Sequence, residues 1–155
     1  MQKILRIATV IMTCLAVGYF SSIVTRENIP TWYALINKPS FNPPNWVFAP
    51  VWTALYILMG YAAGRVWNRL EVDEINVKKA FLFFLIQLAL NALWSFGLQN
   101  PFLASIEIIL LWLMIYETYK QFKNIDKIAA YLLLPYLAWV SFAAVLTFSI
   151  WYLNR

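Results

Sequence analysis

Long apolar stretches separated by short polar segments make up most of this chain. Five of these stretches are long enough for a membrane-spanning helix, which needs about 20 predominantly apolar residues. The pattern therefore predicts one all-α integral membrane domain over residues 1–155, folded as a bundle of five transmembrane helices. The predicted helices cover residues 4–24, 47–67, 80–98, 102–119 and 128–151.

The connections between the helices carry their own signals. The first, residues 25–45, is long and proline-rich, and because proline restricts the backbone we expect a structured lid loop. Asn100 is predicted to cap the fourth helix, with Pro101 at its first position. Pro135 is predicted to kink the fifth helix. A basic flank before the first apolar stretch is also typical of a signal peptide, but the stretch is long enough to span and we interpret it as a retained helix.

The composition excludes several classes of protein. Hydrophobic residues make up 63% of the chain and charged residues 12%, with a mean hydropathy of +0.66. Soluble domains have about 45–50% apolar and about 25% charged residues, so a soluble enzyme or a nucleic-acid-binding module is excluded. The chain contains no His, which excludes His-ligated metals, His-ligated haem and His general-base catalysis. The single Cys14 lies in an apolar stretch and is interpreted as a packed hydrophobe, so no metal site is predicted.

The basic residues predict the orientation in the membrane. Of the 12 Lys and Arg residues, nine lie at the N-terminus, in the second connection and in the fourth, which share one side of the bundle. Only Arg26, Lys38 and Arg155 lie on the other side. Because cytoplasmic loops carry the excess of positive charge, we expect the N-terminus inside and the first connection and C-terminus outside.

Polar and aromatic side chains converge in the outer half of the predicted bundle. Several follow helical spacing, as Gln87, Asn91 and Trp94 do, and helix one contributes Ser22 at a similar depth. For any one residue we favour helix–helix hydrogen bonding or core packing, whereas the set as a whole favours a cavity beneath the first connection. The candidate binding residues are Ser22, Trp32, Tyr33, Pro43, Trp52, Tyr56, Gln87, Asn91, Trp94, Trp139, Phe142 and Ala143.

Three further features leave two interpretations each. The tryptophans at the helix ends, Trp46, Trp67 and Trp151, are interpreted as interfacial belt residues in preference to binding residues. Glu107 either bonds a polar neighbour while protonated or lines the cavity. Gly60 and the glycine four residues later form a GxxxG motif for close helix contact, either between protomers or, as we slightly favour, within the bundle.

The first connection and the helices around it resemble the translocator protein family, also called the tryptophan-rich sensory protein or peripheral-type benzodiazepine receptor family. The resemblance covers most of the chain in an ordered set of motifs. The matching residues are Trp32-Tyr33, Leu35, Lys38-Pro39, Phe41, Pro43-Pro44, Val47-Phe48, Pro50, Trp52, Leu55-Tyr56, Met59-Gly60, Gln87-Leu88, Leu90-Asn91, Trp94-Ser95, Pro135-Tyr136 and Trp139.

This resemblance implies a five-helix bundle, often dimeric, in a bacterial cell membrane. It implies binding of porphyrins such as protoporphyrin IX, and of isoquinoline carboxamide and benzodiazepine drugs, with no required cofactor. The pocket carried over by position contains Tyr33, Trp52, Asn91, Trp139 and Ala143, with Ser22 nearby. The resemblance to bacterial members also implies an ability to degrade protoporphyrin IX in a reaction that needs light and oxygen. Trp52 and Trp139 are the candidate catalytic residues, and the porphyrin would be ligand or substrate.

A cholesterol-recognition pattern at Leu146, Tyr152 and Arg155 is weak, because the same loose pattern fits two other places in the chain.

The leading functional hypothesis from the predicted cavity and the family resemblance is a tetrapyrrole-binding membrane receptor or sensor. A porphyrin or sterol transporter is the alternative, although no inverted repeat or broken-helix pair is evident. A purely structural membrane subunit would not explain the buried amides and deep tryptophans.

Overall fold

The protein is built from helices that cross the bundle from end to end. This computed structural model describes the backbone of residues 1–97 and 100–155, and their side chains except those of residues 28, 29, 32 and 95–97. Within these residues the helices are α1 (Gln2–Asn28), α2 (Asn45–Trp67), α3 (Glu74–Gly97), α4 (Pro101–Lys123), α5 (Lys127–Leu132) and α6 (Leu134–Leu153). Each of α1 to α4 is long and apolar enough to span a membrane, and α5 with α6 supplies a fifth such stretch. The predicted all-α bundle of five membrane-spanning helices is confirmed.

Two local sequence features, the predicted helix cap Asn100 and the predicted kink at Pro135, shape the helix ends as expected. The side chain of Asn100 caps α4, because its Oδ1 accepts hydrogen bonds from the backbone N–H groups of Phe102 (3.1 Å) and Leu103 (3.3 Å). Pro135 lies in the first turn of α6, and the interruption at Leu133 separates α6 from α5. Proline has no N–H to donate and its ring would clash with the carbonyl four residues earlier, so one straight helix cannot continue through it.

The first connection is shorter than predicted. Helix α1 continues to Asn28 and passes into a π-helical turn, Ile29–Tyr33, so the non-helical part is confined to residues 36–44, which we call the lid. The hydroxyl of Thr25 bonds the carbonyl of Ser21 (3.1 Å), and polar residues extend the helix beyond the apolar stretch. The wider π-helical turn contains Pro30, which lacks a backbone donor.

Helix α3 begins at Glu74, six residues before the predicted start at residue 80. The backbone carbonyl of Asp73 accepts from the N–H of Val77 (3.0 Å), and its carboxylate accepts from the N–H of Asn76 (3.4 Å). Lys78 and Glu74 form an i,i+4 ion pair at 2.6 Å. Glu74, Lys78 and Lys79, which were predicted as part of a connection, therefore lie in the first turns of the helix.

Helices α1 and α2 approach closely through two glycines. A Cβ atom on Gly60 would lie 2.6 Å from the Cα atom of Ile11, and one on Gly64 would lie 2.6 Å from the Cα atom of Ile7. The GxxxG motif therefore mediates a contact within the bundle, in agreement with the interpretation favoured above.

The bundle has a densely packed half and a hollow half. Side chains of α1, α2, α3, α4 and α5 fill the packed half, and Cys14 is fully buried there as the sequence predicted. The lid and the C-terminus of α6 lie together at the other end, because the backbone of Asn37 and the side chain of Asn154 exchange two hydrogen bonds (2.9 and 2.8 Å). We call this the lid end.

Two ion pairs join the helices at the end opposite the lid. Arg6 donates to both carboxylate oxygens of Glu71, at 3.1 and 2.5 Å, and these hydrogen bonds lower the pKa of Glu71 to about 2. Arg65 donates to Asp126 at 2.9 Å. Burial acts to raise the pKa of Asp126, but the hydrogen bonds from Arg65 and from the N–H groups at the start of α5 outweigh it and hold that pKa below its usual value.

Four buried polar side chains form a hydrogen-bonded chain between three helices. The hydroxyl of Tyr56 on α2 donates to Oδ1 of Asn91 on α3 (2.6 Å), and Nδ2 of Asn91 donates to the hydroxyl of Tyr136 on α6 (2.6 Å). The Tyr136 hydroxyl donates in turn to Oε1 of Gln87 on α3 (2.8 Å). We call these residues the polar chain. Both amides bond between helices, and Asn91 also reaches the cavity described below.

Replacing Tyr136 by Phe is expected to destabilise the bundle. The change leaves Nδ2 of Asn91 and Oε1 of Gln87 without a shared partner in an apolar interior, which costs about 1–2 kcal/mol. A thermal unfolding curve of the purified protein in detergent should show a lower midpoint, by several degrees.

The matched control is Tyr131→Phe, on the same membrane-spanning stretch, because the Tyr131 side chain is exposed. This variant should unfold at the wild-type temperature. Equal midpoints for the two variants would contradict the structural role of the polar chain.

Candidate ligand-binding cavity

A cavity of about 530 Å³ lies at the lid end, between α1, α2, α3, α4 and α6. This volume falls within the range of about 300–1,000 Å³ that is typical of small-molecule sites. The cavity reaches the surface between α1 and α2, where Tyr19 and Thr53 line it and are exposed. Its walls are mainly apolar, and their aromatic members are Tyr19, Tyr33, Phe48, Trp52, Tyr56, Trp94, Trp139 and Phe142.

The aromatic side chains form two groups. In the first, the ring of Trp139 lies 5.5 Å from that of Phe142 and 6.1 Å from that of Phe48. In the second, the ring of Trp52 lies 5.8 Å from that of Tyr56 and 6.2 Å from that of Tyr136. These centroid distances are typical of edge-to-face and offset ring pairs, so each indole is held in a fixed orientation.

Some polar groups of the cavity walls already form hydrogen bonds within the protein, and others have no partner among the described residues. The hydroxyls of Ser22 and Thr147 bond carbonyls of their own helices, at 2.7 Å each. The indole N–H groups of Trp94 and Trp139 are buried and have no hydrogen-bond partner among the described residues. The walls therefore combine apolar and aromatic surface with few polar groups, which suits a flat, largely apolar ligand.

The lid is attached to the helices by several contacts. Besides the bonds between Asn37 and Asn154, the phenol of Tyr33 donates to Oδ1 of Asn42 (2.7 Å), and the ring of Phe41 packs edgewise on Phe142 at 6.3 Å. Burial raises the pKa of Tyr33 above the ordinary value of a tyrosine. The lid thus packs against a residue of the cavity wall.

Most of the predicted binding residues meet at this cavity. Nine of them line the cavity, and they belong to α1, the π-helical turn after it, α2, α3 and α6. These nine residues are Ser22, Tyr33, Trp52, Tyr56, Asn91, Trp94, Trp139, Phe142 and Ala143. Their role in binding stays a prediction, since no ligand is present.

Three of the predicted binding residues are not among the described residues that line the cavity. Gln87 lies deeper, in the polar chain, where it bonds Tyr136 and does not line the cavity. Pro43 belongs to the lid but not to the lining, and the side chain of Trp32 lies outside the described residues. Glu107 is also absent from the described lining, and its Oε1 is buried without a hydrogen-bond partner among the described residues.

Several lining residues were not predicted. Thr147 and Ile150 continue the stripe of Ala143 at four and seven residues, so helical spacing could have identified them. Arg26 was assigned to a loop and instead lies on α1. Pro101 and Ala104 of α4 carry no distinctive chemistry, and only the packing of α4 against α3 brings them to the cavity.

The residues of the sterol pattern do not share one surface. Leu146 is buried and lines the cavity, whereas the Tyr152 side chain is 60% exposed. The guanidinium of Arg155 lies over the Tyr152 ring at 4.2 Å. Six residues along a helix turn the chain by about 240°, which places Leu146 and Tyr152 on different faces.

Comparisons with known proteins agree with this architecture. The sequence model of the TspO/MBR family matches residues 10–153. The chain is 44% identical to the tryptophan-rich protein TspO of Chlorobaculum tepidum, over 99% of this chain and 98% of that protein. It is 40% identical to the tryptophan-rich sensory protein of Cereibacter sphaeroides (79% and 77% covered) and 33% identical to the translocator protein of Bos taurus (89% and 83% covered).

The matched region includes nearly all of the five membrane-length helices, the lid and every described residue of the cavity. The resemblance identified in the sequence is therefore confirmed. The chain is a multi-pass integral membrane protein and belongs to the TspO/MBR family.

Proposed function

We propose that this protein is a membrane receptor or sensor that binds tetrapyrroles such as protoporphyrin IX in the cavity at the lid end. Isoquinoline carboxamide and benzodiazepine drugs would occupy the same cavity. The observation that carries the proposal is the pair of aromatic groups around Trp52 and Trp139, both lining one cavity of about 530 Å³.

The chemistry of the walls supports a flat conjugated ligand. The indole and phenyl faces offer stacking and edge contacts to an aromatic macrocycle, and the apolar walls bury it. The indole N–H groups of Trp94 and Trp139 have no acceptor among the described residues, so an acceptor on a ligand would gain a bond at little cost.

The packing below the cavity favours binding over transport. Cys14, Met59 and Ile115 are fully buried in the half opposite the lid, and the polar chain crosses the bundle between α2, α3 and α6. A ligand would have to break this packing to pass through. Transport of porphyrin or sterol is the alternative function, and a flux assay in vesicles distinguishes the two.

Light- and oxygen-dependent degradation of protoporphyrin IX is a further part of the proposal. A photoexcited porphyrin with oxygen supplies the oxidising power, and electron-rich indoles at the cavity can donate an electron. Trp52 and Trp139 are the candidates, because both line the cavity and both pack against other rings.

We also propose the orientation and assembly of the protein. Arg6, Arg65 and the other cations at the end opposite the lid would face the cytoplasm of a bacterial cell, with the lid outside. We also propose that the protein forms a homodimer, as the family resemblance implies.

Filling the cavity is expected to abolish binding. Ala143 lines the cavity and is buried, so Ala143→Phe would occupy space needed by a macrocycle. Titration with protoporphyrin IX, followed by quenching of tryptophan fluorescence, should give saturable binding at micromolar porphyrin for the wild type. The variant should bind at least about tenfold more weakly.

The control is Ala138→Phe on the same helix, because Ala138 is exposed and does not line the cavity. This variant should bind like the wild type, and unfolding curves of both variants should confirm that they are folded. Absence of quenching in the wild type, or equal binding by both variants, would overturn the proposed site.

The degradation activity has its own test. Under illumination in air, Trp52→Phe and Trp139→Phe should bleach bound protoporphyrin IX more slowly than the wild type by about tenfold, because phenylalanine is much harder to oxidise than tryptophan. Product spectra over time measure the rate, and rates are compared at saturating porphyrin.

Trp46→Phe serves as the control, because Trp46 is 74% exposed at the start of α2 and does not line the cavity. Its rate should equal that of the wild type. Normal binding with undiminished bleaching in both cavity variants would mean that these tryptophans are not catalytic.

A further inference from the structure

Arg26 is the only charged residue among the described residues that line the cavity. It lies in the last turn of α1, and its side chain is exposed. No Asp or Glu belongs to this lining, so the described walls of the cavity carry a net positive charge. A carboxylate at this position would find a cation and no competing acid in the wall.

The guanidinium of Arg26 has no ion-pair or aromatic partner among the described residues. By contrast, Arg6 pairs with Glu71, Arg65 pairs with Asp126, and Arg155 lies over Tyr152. Arg69 also lacks a described partner, but it lies in the connection between α2 and α3, at the end opposite the cavity. Among the described residues, Arg26 is therefore the arginine that lines the cavity and has no ion-pair or aromatic partner.

The start of α2 supplies a second source of positive potential at the cavity. The first turn of α2 lines the same cavity through Asn45, Phe48 and Ala49. Its N-cap residue, Pro44, gives no side-chain hydrogen bond to this turn. The exposed N–H groups of a helix start carry partial positive charge, which adds to the potential set by Arg26.

We propose that Arg26 binds the carboxylate of an amphipathic ligand whose flat apolar body fills the cavity. This inference rests on the proposed function and specifies its ligand class: molecules that carry a carboxylate on a flat aromatic body are selected over neutral molecules of the same shape. A guanidinium forms two parallel hydrogen bonds with a carboxylate, which makes the contact directional as well as electrostatic. Arg26 is thus a specificity-determining residue of the binding site.

The test compares protoporphyrin IX, which carries two carboxylates, with its dimethyl ester, which is neutral at the same positions. Both are titrated against the wild type, Arg26→Gln and Arg26→Lys in the same detergent. The wild type should bind the acid more tightly than the ester. Arg26→Gln should weaken binding of the acid by about three- to tenfold and leave the ester unchanged, and Arg26→Lys should retain part of the preference.

Arg69→Gln is the matched control for the loss of one positive charge, and it should leave both affinities at their wild-type values. Raising the salt concentration should reduce the preference for the acid in the wild type, because exposed charges are screened. Equal binding of acid and ester by the wild type, or equal weakening of both by Arg26→Gln, overturns the role of Arg26 while the proposed function stands. If neither porphyrin binds, the proposed function itself is wrong.

Discussion

Four of the buried polar side chains in this bundle bond to one another, in surroundings that offer them no bulk water. Each must find its partner on another helix, because an unbonded amide or hydroxyl in hydrocarbon is costly. Tyr56, Asn91, Tyr136 and Gln87 meet most of this constraint together, and of their polar atoms Nε2 of Gln87 alone has no hydrogen-bond partner among the described residues. These bonds fix the positions of α2, α3 and α6 relative to each other. Apolar packing alone would leave the helices freer to slide, since lipid is as apolar as their side chains.

The polar chain also lies where the bundle changes character. On one side the helices pack closely, with the glycines of α2 against the backbone of α1 and ion pairs at the far end. On the other side Trp52, Trp139 and their neighbours surround open space. Tyr56 and Asn91 belong to both parts, since they bond within the chain and line the cavity. The scaffold that holds the helices is therefore also the floor of the candidate site.

The helices and most of the site follow from local patterns in the sequence. Apolar runs, the cap at Asn100 and the break before Pro135 each depend on a few neighbouring residues, and helical spacing brings Trp52, Asn91 and Trp139 to one depth. Polar composition was a poorer guide to the ends of the helices. Residues 25–28 and most of residues 74–79 are polar yet helical, because helices extend beyond the apolar layer. The lining by α4 and the position of Arg26 depend on how helices pack, which no local pattern encodes.

Under the proposed function, the hollow half of the bundle is the binding site for a flat aromatic ligand. A crystal structure of the protein with protoporphyrin IX bound would show where the macrocycle lies. The macrocycle should lie in the cavity in contact with Trp52 and Trp139, with the lid over it and the polar chain intact below. A macrocycle bound on the lipid-facing surface, with the cavity empty, would contradict the account.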